Sequence, residues 1–371
     1  MAMTASSVLA AVTPAPGQIE LREVARPSEA LDGGLLKVAV TGVCGSDWDF
    51  YQTFPKQRGA VILGHETVGW IERASRSSLD RWGLAEGDLV ALEEYIPCTH
   101  CAACRSGEFR SCRATEWRSG GLRYGATELG RDPGLWGGYA QAQYLHPNTV
   151  FHRVPAGLDP KYAALALPVA NGIEWTYLQG RAGPGETVII QGPGQQGLSC
   201  VAAAKEAGAA KVIVTGLSTP NDRARLQMAK LLGADHTIEL GDEDLLESVA
   251  ELTGGQMADL VLDCAGVEAS FLASFHLVRR YGRVILGGHL KAPVSNFNAN
   301  RIVAQYLTVK GVRGHSYQAV EHALAMLAAD RHNLRKLSTH TFALAETDTA
   351  LQCLIGKGLP GAIHCTVSPL Q

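Results

Sequence analysis

Thr187-Val188-Ile189-Ile190-Gln191-Gly192-Pro193-Gly194-Gln195-Gln196-Gly197 is the stretch that decides the architecture. Its first five residues form a short apolar run rich in β-branched side chains, which reads as a buried strand, and 197–207 reads as a helix. Between them lies G-x-G-x-x-G, a weak pattern alone and a specific one in this strand, turn and helix setting. Gly192 suits the tight turn, Gly194 lets backbone approach a pyrophosphate, and Gly197 permits close helix packing, while Gln195 and Gln196 complete the turn before a helix N-terminus whose free N–H groups attract anions. A dinucleotide is the implied ligand. The fingerprint continues, about 20 residues on, with an acid that binds the adenosine ribose, but that place holds Gly216. Ser218, Thr219, Arg223 and Arg225 follow and suit a 2′-phosphate, whereas Asp222 suits a ribose hydroxyl, so NAD and NADP both stay open.

Outward from this turn, apolar strands over 211–215, 259–263, 283–286 and 307–312 alternate with helical stretches over 223–232 and 316–329. The alternation predicts an α/β fold with a doubly wound parallel sheet covered by helices on both faces. Up to about residue 155 the chain instead shows short strands over 36–43, 67–73, 88–92 and 138–144, separated by glycine-rich turns. A mostly β domain of barrel type is expected there. The 371 residues exceed one hydrophobic core and agree with two or three domains.

Hydrophobic residues make up 46%, charged residues 19%, and the net charge is −3 with no block of one sign, an ordinary globular composition. Lysines and arginines are interspersed with acids, so no nucleic-acid partner is expected. The opening stretch has no basic region, and its apolar run breaks at Pro14 and Pro16, so neither a signal peptide nor a membrane span is expected. An odd count of nine cysteines, five of them in metal-like settings, suits a reducing cytoplasm.

Four of those cysteines, Cys98, Cys101, Cys104 and Cys112, are spaced C-x2-C-x2-C-x7-C in one short loop. Thiolates set this closely converge on a tetrahedral zinc at about 2.3 Å, close its shell and make it structural, whereas cysteines so near in sequence are poor disulfide partners. His100, inside the run, is read as a bystander. Upstream, Gly42-Val43-Cys44-Gly45-Ser46-Asp47 is followed by Gly64-His65-Glu66-Thr67-Val68-Gly69. Thiolate, imidazole and carboxylate are the ligand types of a catalytic zinc.

Taken in this order, Cys44 and His65 ahead of the four-cysteine loop and the dinucleotide turn, the chain resembles the medium-chain dehydrogenase/reductase superfamily, in its zinc-containing alcohol and polyol dehydrogenase branch. The resemblance covers nearly the whole length. It implies a GroES-like catalytic domain over 1–169, completed by 315–371, and a Rossmann domain over 170–314. It carries over Cys44 and His65 as catalytic-zinc ligands, Glu66 as neighbour or ligand, Asp47 as the acid that orients the histidine, and Ser46 as the proton-relay hydroxyl. The four-cysteine loop becomes the structural-zinc lobe, giving two zinc ions per chain.

Two positions depart from the family pattern. The remaining catalytic ligand, elsewhere a Cys, Asp or Glu, falls on Leu167, or on Val169 if the alignment slides, leaving the metal to Cys44, His65, Glu66 and water. Asp49 stands where many relatives end the relay with a histidine. By resemblance, Trp48 and Glu94 flank the substrate, and a carboxylate there favours a polyol, a sugar alcohol or an amino alcohol. Trp117, Tyr124 and Trp136 either wall a cleft or pack. The implied reaction is hydride transfer between an alcohol carbon and NAD(P) in a homodimer or homotetramer, and the alternative is a zinc-independent reductase of activated double bonds or quinones.

Overall fold

A computed structural model describes residues 7–28, 31–53, 59–116, 119–241, 244–290 and 292–370. It divides into two compact units, one formed by 1–166 together with 338–371 and the other by 167–337. Trp117 lies outside the described residues.

In the first unit the central strand Gly34–Gly42 is buried at every position except Lys37, because sheet neighbours and loops cover both of its faces. It pairs antiparallel with Glu66–Ala74, with Ala142–Leu145 and, through residues 41–42, with the C-terminal strand His364–Ser368. Leu89–Leu92 and Phe151–Arg153 extend the seven-stranded sheet on one side, and Ser338–Ala343 on the other. A separate three-stranded sheet contains Glu20–Ala25, Ser7–Thr13 and Val61–Ile62. Leu35, Leu36, Ile71, Leu92, Tyr124 and Trp136 belong to one buried cluster, so the last two aromatics pack in the core.

The second unit is a six-stranded, wholly parallel sheet in the order His236–Leu240, Lys211–Leu217, Thr187–Gln191, Ala258–Asp263, Val278–Leu286, Thr308–Gly311. Numbered along the chain, that order is 3-2-1-4-5-6, and it reverses beside Thr187–Gln191, where doubly wound sheets bind their ligands. The inner strands are near-continuous apolar runs, as burial on both faces demands. The first crossover is the helix Gln195–Glu206. The helix Tyr317–Ala328, capped by Ser316, falls in this unit, which runs to Leu337. Among the described residues no helix is long and apolar enough to cross a membrane.

Candidate active site and metal centres

Strand Gly34–Gly42 ends immediately before Val43-Cys44, and the helix Gly45–Thr53 begins just beyond, bringing Asp47 into its first turn. The Asp47 side chain is fully buried, and its carboxylate is saturated with donors. Oδ2 accepts the Cys44 N–H at 3.1 Å and the Tyr139 hydroxyl at 2.8 Å, while Oδ1 faces His65 Nδ1 at 3.2 Å and accepts the Gly64 N–H at 3.4 Å. Binding Nδ1 in this way leaves Nε2 of His65 to point elsewhere, the arrangement a metal-binding imidazole needs. Ser46 Oγ lies 3.4 Å from that Nε2 and 3.3 Å from Cys44 Sγ.

Ligand atoms of Cys44, His65 and Glu66 all fall within 4.8 Å of one another. Glu66 starts the neighbouring strand, and its buried Oε2 makes no hydrogen bond, with His364 Nε2 standing 3.5 Å away. A buried carboxylate oxygen without a hydrogen bond is costly; a cation at this point would satisfy it. Burial and the Glu66 charge push the Cys44 thiol up. Burial works against charge on His65, yet Asp47 raises it well above the ordinary imidazole value. The donor set therefore fits a divalent ion. Leu167, buried in the helix Ala166–Ile173, offers no donor atom.

The second group is the four-cysteine loop, whose sulfurs also lie within 4.8 Å of one another. Sγ of Cys101 is 3.5 Å from that of Cys104, and Cys98 N–H donates to Cys112 Sγ at 3.4 Å. The His100 N–H draws the Cys98 thiol down to about 6, toward the thiolate a metal binds, while its imidazole is exposed and outside the group. Burial pushes Cys104 up to about 12, so a cation is needed to hold all four as thiolates.

In the second unit, Gly192 has φ +95, and a Cβ there would press on the Ala265 backbone nitrogen at 3.0 Å. A Cβ on Gly197 would fall 2.0 Å from Gly192 O, whereas around Gly194 the space is open. The turn is thus packed tight behind and open at the residue that caps the helix, where no side chain covers the N–H groups. Gln195 and Gln196 begin the helix, and Gln196 Oε1 is buried without a partner. Position 216 has no room for an acid, because its Cβ would lie 2.8 Å from Pro193 Cγ and 3.3 Å from Leu226 Cδ2. Asp222 accepts the Leu217 N–H at 2.9 Å, and so closes its own loop. Ser218 is half-buried beside it, while Arg223, exposed, pairs with Glu239 at 2.8 Å.

Comparison with known proteins agrees with both halves. An alcohol dehydrogenase GroES-like domain model matches residues 32–156, and a zinc-binding dehydrogenase model matches 197–329. A probable alcohol dehydrogenase of Mycobacterium tuberculosis is 36% identical over 369 residues, 98% of each chain. The chain belongs to the zinc-containing alcohol dehydrogenases of the medium-chain dehydrogenase/reductase superfamily. The dehydrogenase is also 32% identical over 342 residues to a sorbitol dehydrogenase of Halalkalibacterium halodurans, covering 91% of this chain and 93% of that one. A crystal structure of an alcohol dehydrogenase from Thermotoga maritima superposes with a TM-score of 0.85 at 26% identity, covering 98% and 99%. It is an oxidoreductase on a GroES-like plus Rossmann fold.

Around this frame the expected substrate residues separate. In the dehydrogenase, Glu94 stands with Oε2 4.0 Å from His65 Nε2, and Trp48 packs 5.6 Å from the Tyr51 ring. Asp49 is exposed on the same helix, and no hydrogen bond among the described residues joins it to Ser46. Sequence reading missed Arg123, whose guanidinium pairs with Glu94 and stacks over Tyr95 at 4.6 Å. Burial raises the Glu94 carboxyl, but Arg123 and His65 outweigh it and bring it to about 2. The charge that a substrate ammonium was expected to meet is already met by the protein. Tyr139 and His364 were missed as well, since each comes from a distant strand or loop with no local pattern to mark it.

Proposed function

We propose that the dehydrogenase oxidises a polar secondary or primary alcohol, with vicinal hydroxyls as in a polyol or sugar alcohol, using NAD(P) and a zinc held by Cys44, His65 and Glu66. The observation that carries this reading is the convergence of those three donors, with the buried Glu66 Oε2 making no hydrogen bond. When bound, the zinc supplies Lewis acidity and the nicotinamide supplies the hydride acceptor. Asp47 fixes the His65 ring through Nδ1, which leaves Nε2 as the nitrogen that would hold the ion. Ser46 Oγ, within 3.4 Å of both Cys44 and His65, accepts the hydroxyl proton and passes it toward solvent, with Asp49 at the exposed end. Glu94 and Arg123 form a neutral pair that hydrogen-bonds further substrate hydroxyls. Trp48 walls the same side. The turn 192–197 and the open N-terminus of its helix take the pyrophosphate, with Ser218 and Arg223 toward the ribose. Cys98, Cys101, Cys104 and Cys112 hold the structural zinc, and the enzyme works in the cytoplasm as a homo-oligomer.

Zinc counted per chain in the wild type and in Cys44→Ser, beside a screen of polyols and amino alcohols with both coenzymes, tests this. Two ions falling to one, with polyol turnover lost, is the expected result. Two ions in both proteins, or turnover that survives removal of the labile ion, would overturn it and favour the zinc-independent reductase.

A further inference from the structure

Of the cysteines outside the two metal groups, Cys200 and Cys264 face each other with their sulfurs 3.9 Å apart, although 64 residues separate them. Cys200 is fully buried in the helix Gln195–Glu206, and Cys264, partly exposed, directly follows the strand Ala258–Asp263. Cys264 N–H donates to Gln191 O at 3.0 Å, on the last residue before the glycine turn. Its neighbour Ala265 is the backbone against which Gly192 rests. One sulfur thus sits on the helix that leaves the turn, and the other on the wall behind it.

We propose that Cys200 and Cys264 form a redox modification site, in which a peroxide converts the pair to a disulfide that closes the dinucleotide turn. Cys264, the less buried residue of the two, supplies the sulfur that attacks the peroxide: an S–O bond forms, the O–O bond breaks, and the sulfur loses two electrons to give a sulfenic acid and one molecule of alcohol or water. Cys200 sulfur then attacks Cys264 sulfur. An S–S bond forms, the S–O bond breaks, and hydroxide leaves with the Cys200 proton as water. A small dithiol reverses the reaction by exchange. The hydrogen bond from Cys200, with burial, holds the Cys264 thiol protonated, so the pair answers sustained oxidant rather than a brief pulse.

A disulfide needs its sulfurs at about 2.05 Å, nearly 2 Å closer than the 3.9 Å here. The turn between the two elements has no slack in which to take up such a shift, since Gly192 already touches Ala265 and nothing larger than hydrogen fits on Gly197. Side-chain rotation supplies part of the approach, and whatever remains falls as strain on the tightly packed turn that joins the two elements. The consequence for coenzyme rests on the dinucleotide reading of the turn, whereas the disulfide itself does not.

The zinc-loaded enzyme is treated with hydrogen peroxide, digested without reductant and mapped by mass spectrometry, and NAD and NADP are titrated calorimetrically before treatment, after it, and after dithiothreitol. Expected are a Cys200–Cys264 peptide pair lighter by two hydrogens and a loss of roughly tenfold or more in coenzyme affinity, within the usual range of coupling between sites and restored by dithiothreitol. Cys264→Ala and Cys200→Ser each keep their affinity through peroxide. Wild-type enzyme in which both thiols stay free after exposure would overturn the proposal, and so would a disulfide that leaves affinity unchanged. If neither coenzyme binds before oxidation, the dinucleotide reading fails, and the peptide map still decides the redox site.

Discussion

Asp47 spends every lone pair on holding other groups in place: the Cys44 N–H, the Gly64 N–H, the His65 ring and the Tyr139 hydroxyl. Tyr139→Phe removes one of these without changing shape, leaving a fully buried carboxylate short of a donor. Stability should fall by about 1–3 kcal/mol, and the labile zinc should be held roughly 10–100-fold more weakly, with the four-cysteine zinc unaffected; thermal denaturation and chelator competition read both. Asp47 and His65 were legible because each stands inside a short local motif. Tyr139 was not, because it meets Asp47 from 92 residues away and nothing in its own neighbourhood says so. Arg123 escaped for the same reason, and its presence shifts the reading of Glu94 from a charge awaiting substrate to a neutralised pair. Position 216 carries a second prediction at this scale. Gly216→Asp alone should weaken both coenzymes by fluorescence titration, because Pro193 occupies the space, and combining it with Pro193→Ala should restore binding and favour NAD.

The helix Gln195–Glu206 is anchored at both ends by different physics. Its start is shaped by the glycines of the turn; its last residue, Glu206, is held by His332 Nε2 at 2.9 Å, by Arg331 and, at 3.6 Å, by His322 Nε2. Burial tends to raise the Glu206 carboxyl, but the hydrogen bonds from His332 and Arg331 prevail and lower it. A depressed folded pKa stabilises the fold once pH exceeds the unfolded value near 4.5, and that stability drains away as pH falls through the lowered folded value. Glu206→Gln should therefore cost about 1 kcal/mol at neutral pH, with the gap to wild type narrowing below about pH 4.5 in acid denaturation. Elements with a strong apolar period were legible to within a few residues: the strand Thr187–Gln191 falls where its run of β-branched residues placed it, and the helix Tyr317–Ala328 is one residue short at each end of its expected span. The strand His236–Leu240 was not recognised. It is the sheet's outermost strand on that side, only Ile238 is buried, and a half-wet edge leaves no continuous apolar run to read.

Both ends of the chain build the first unit, while the second is one uninterrupted segment. The strand His364–Ser368 supplies hydrogen bonds to Gly34–Gly42, and Phe342, Leu351 and Val367 enter the same core as Leu35 and Leu36. Ending the chain after Leu337 should leave that core open and the protein insoluble or protease-sensitive, whereas a fragment of 167–337 should fold cooperatively by circular dichroism and keep its coenzyme affinity. The sequence announced two domains through the change in period. The second boundary is harder to read, because the amphipathic pattern over 316–329 says that a helix has a buried face and not which core receives it.

That arrangement sets a timetable at the ribosome. At about 5–20 residues per second, the wait between emergence of Ala166 and of the final strands is on the order of ten to forty seconds. Through that interval the nascent N-terminal half stands unfinished while the later-made segment has everything it requires to fold first. Residues 41–42 of the strand Gly34–Gly42 would meanwhile lack the pairing that His364–Ser368 later supplies and stand open to any passing chain. A metal seized early by Cys98, Cys101, Cys104 and Cys112, all translated before the interval begins, would tie down at least one loop of the half-built unit, so starving cells of zinc during synthesis should hurt yield more than stripping it from finished enzyme.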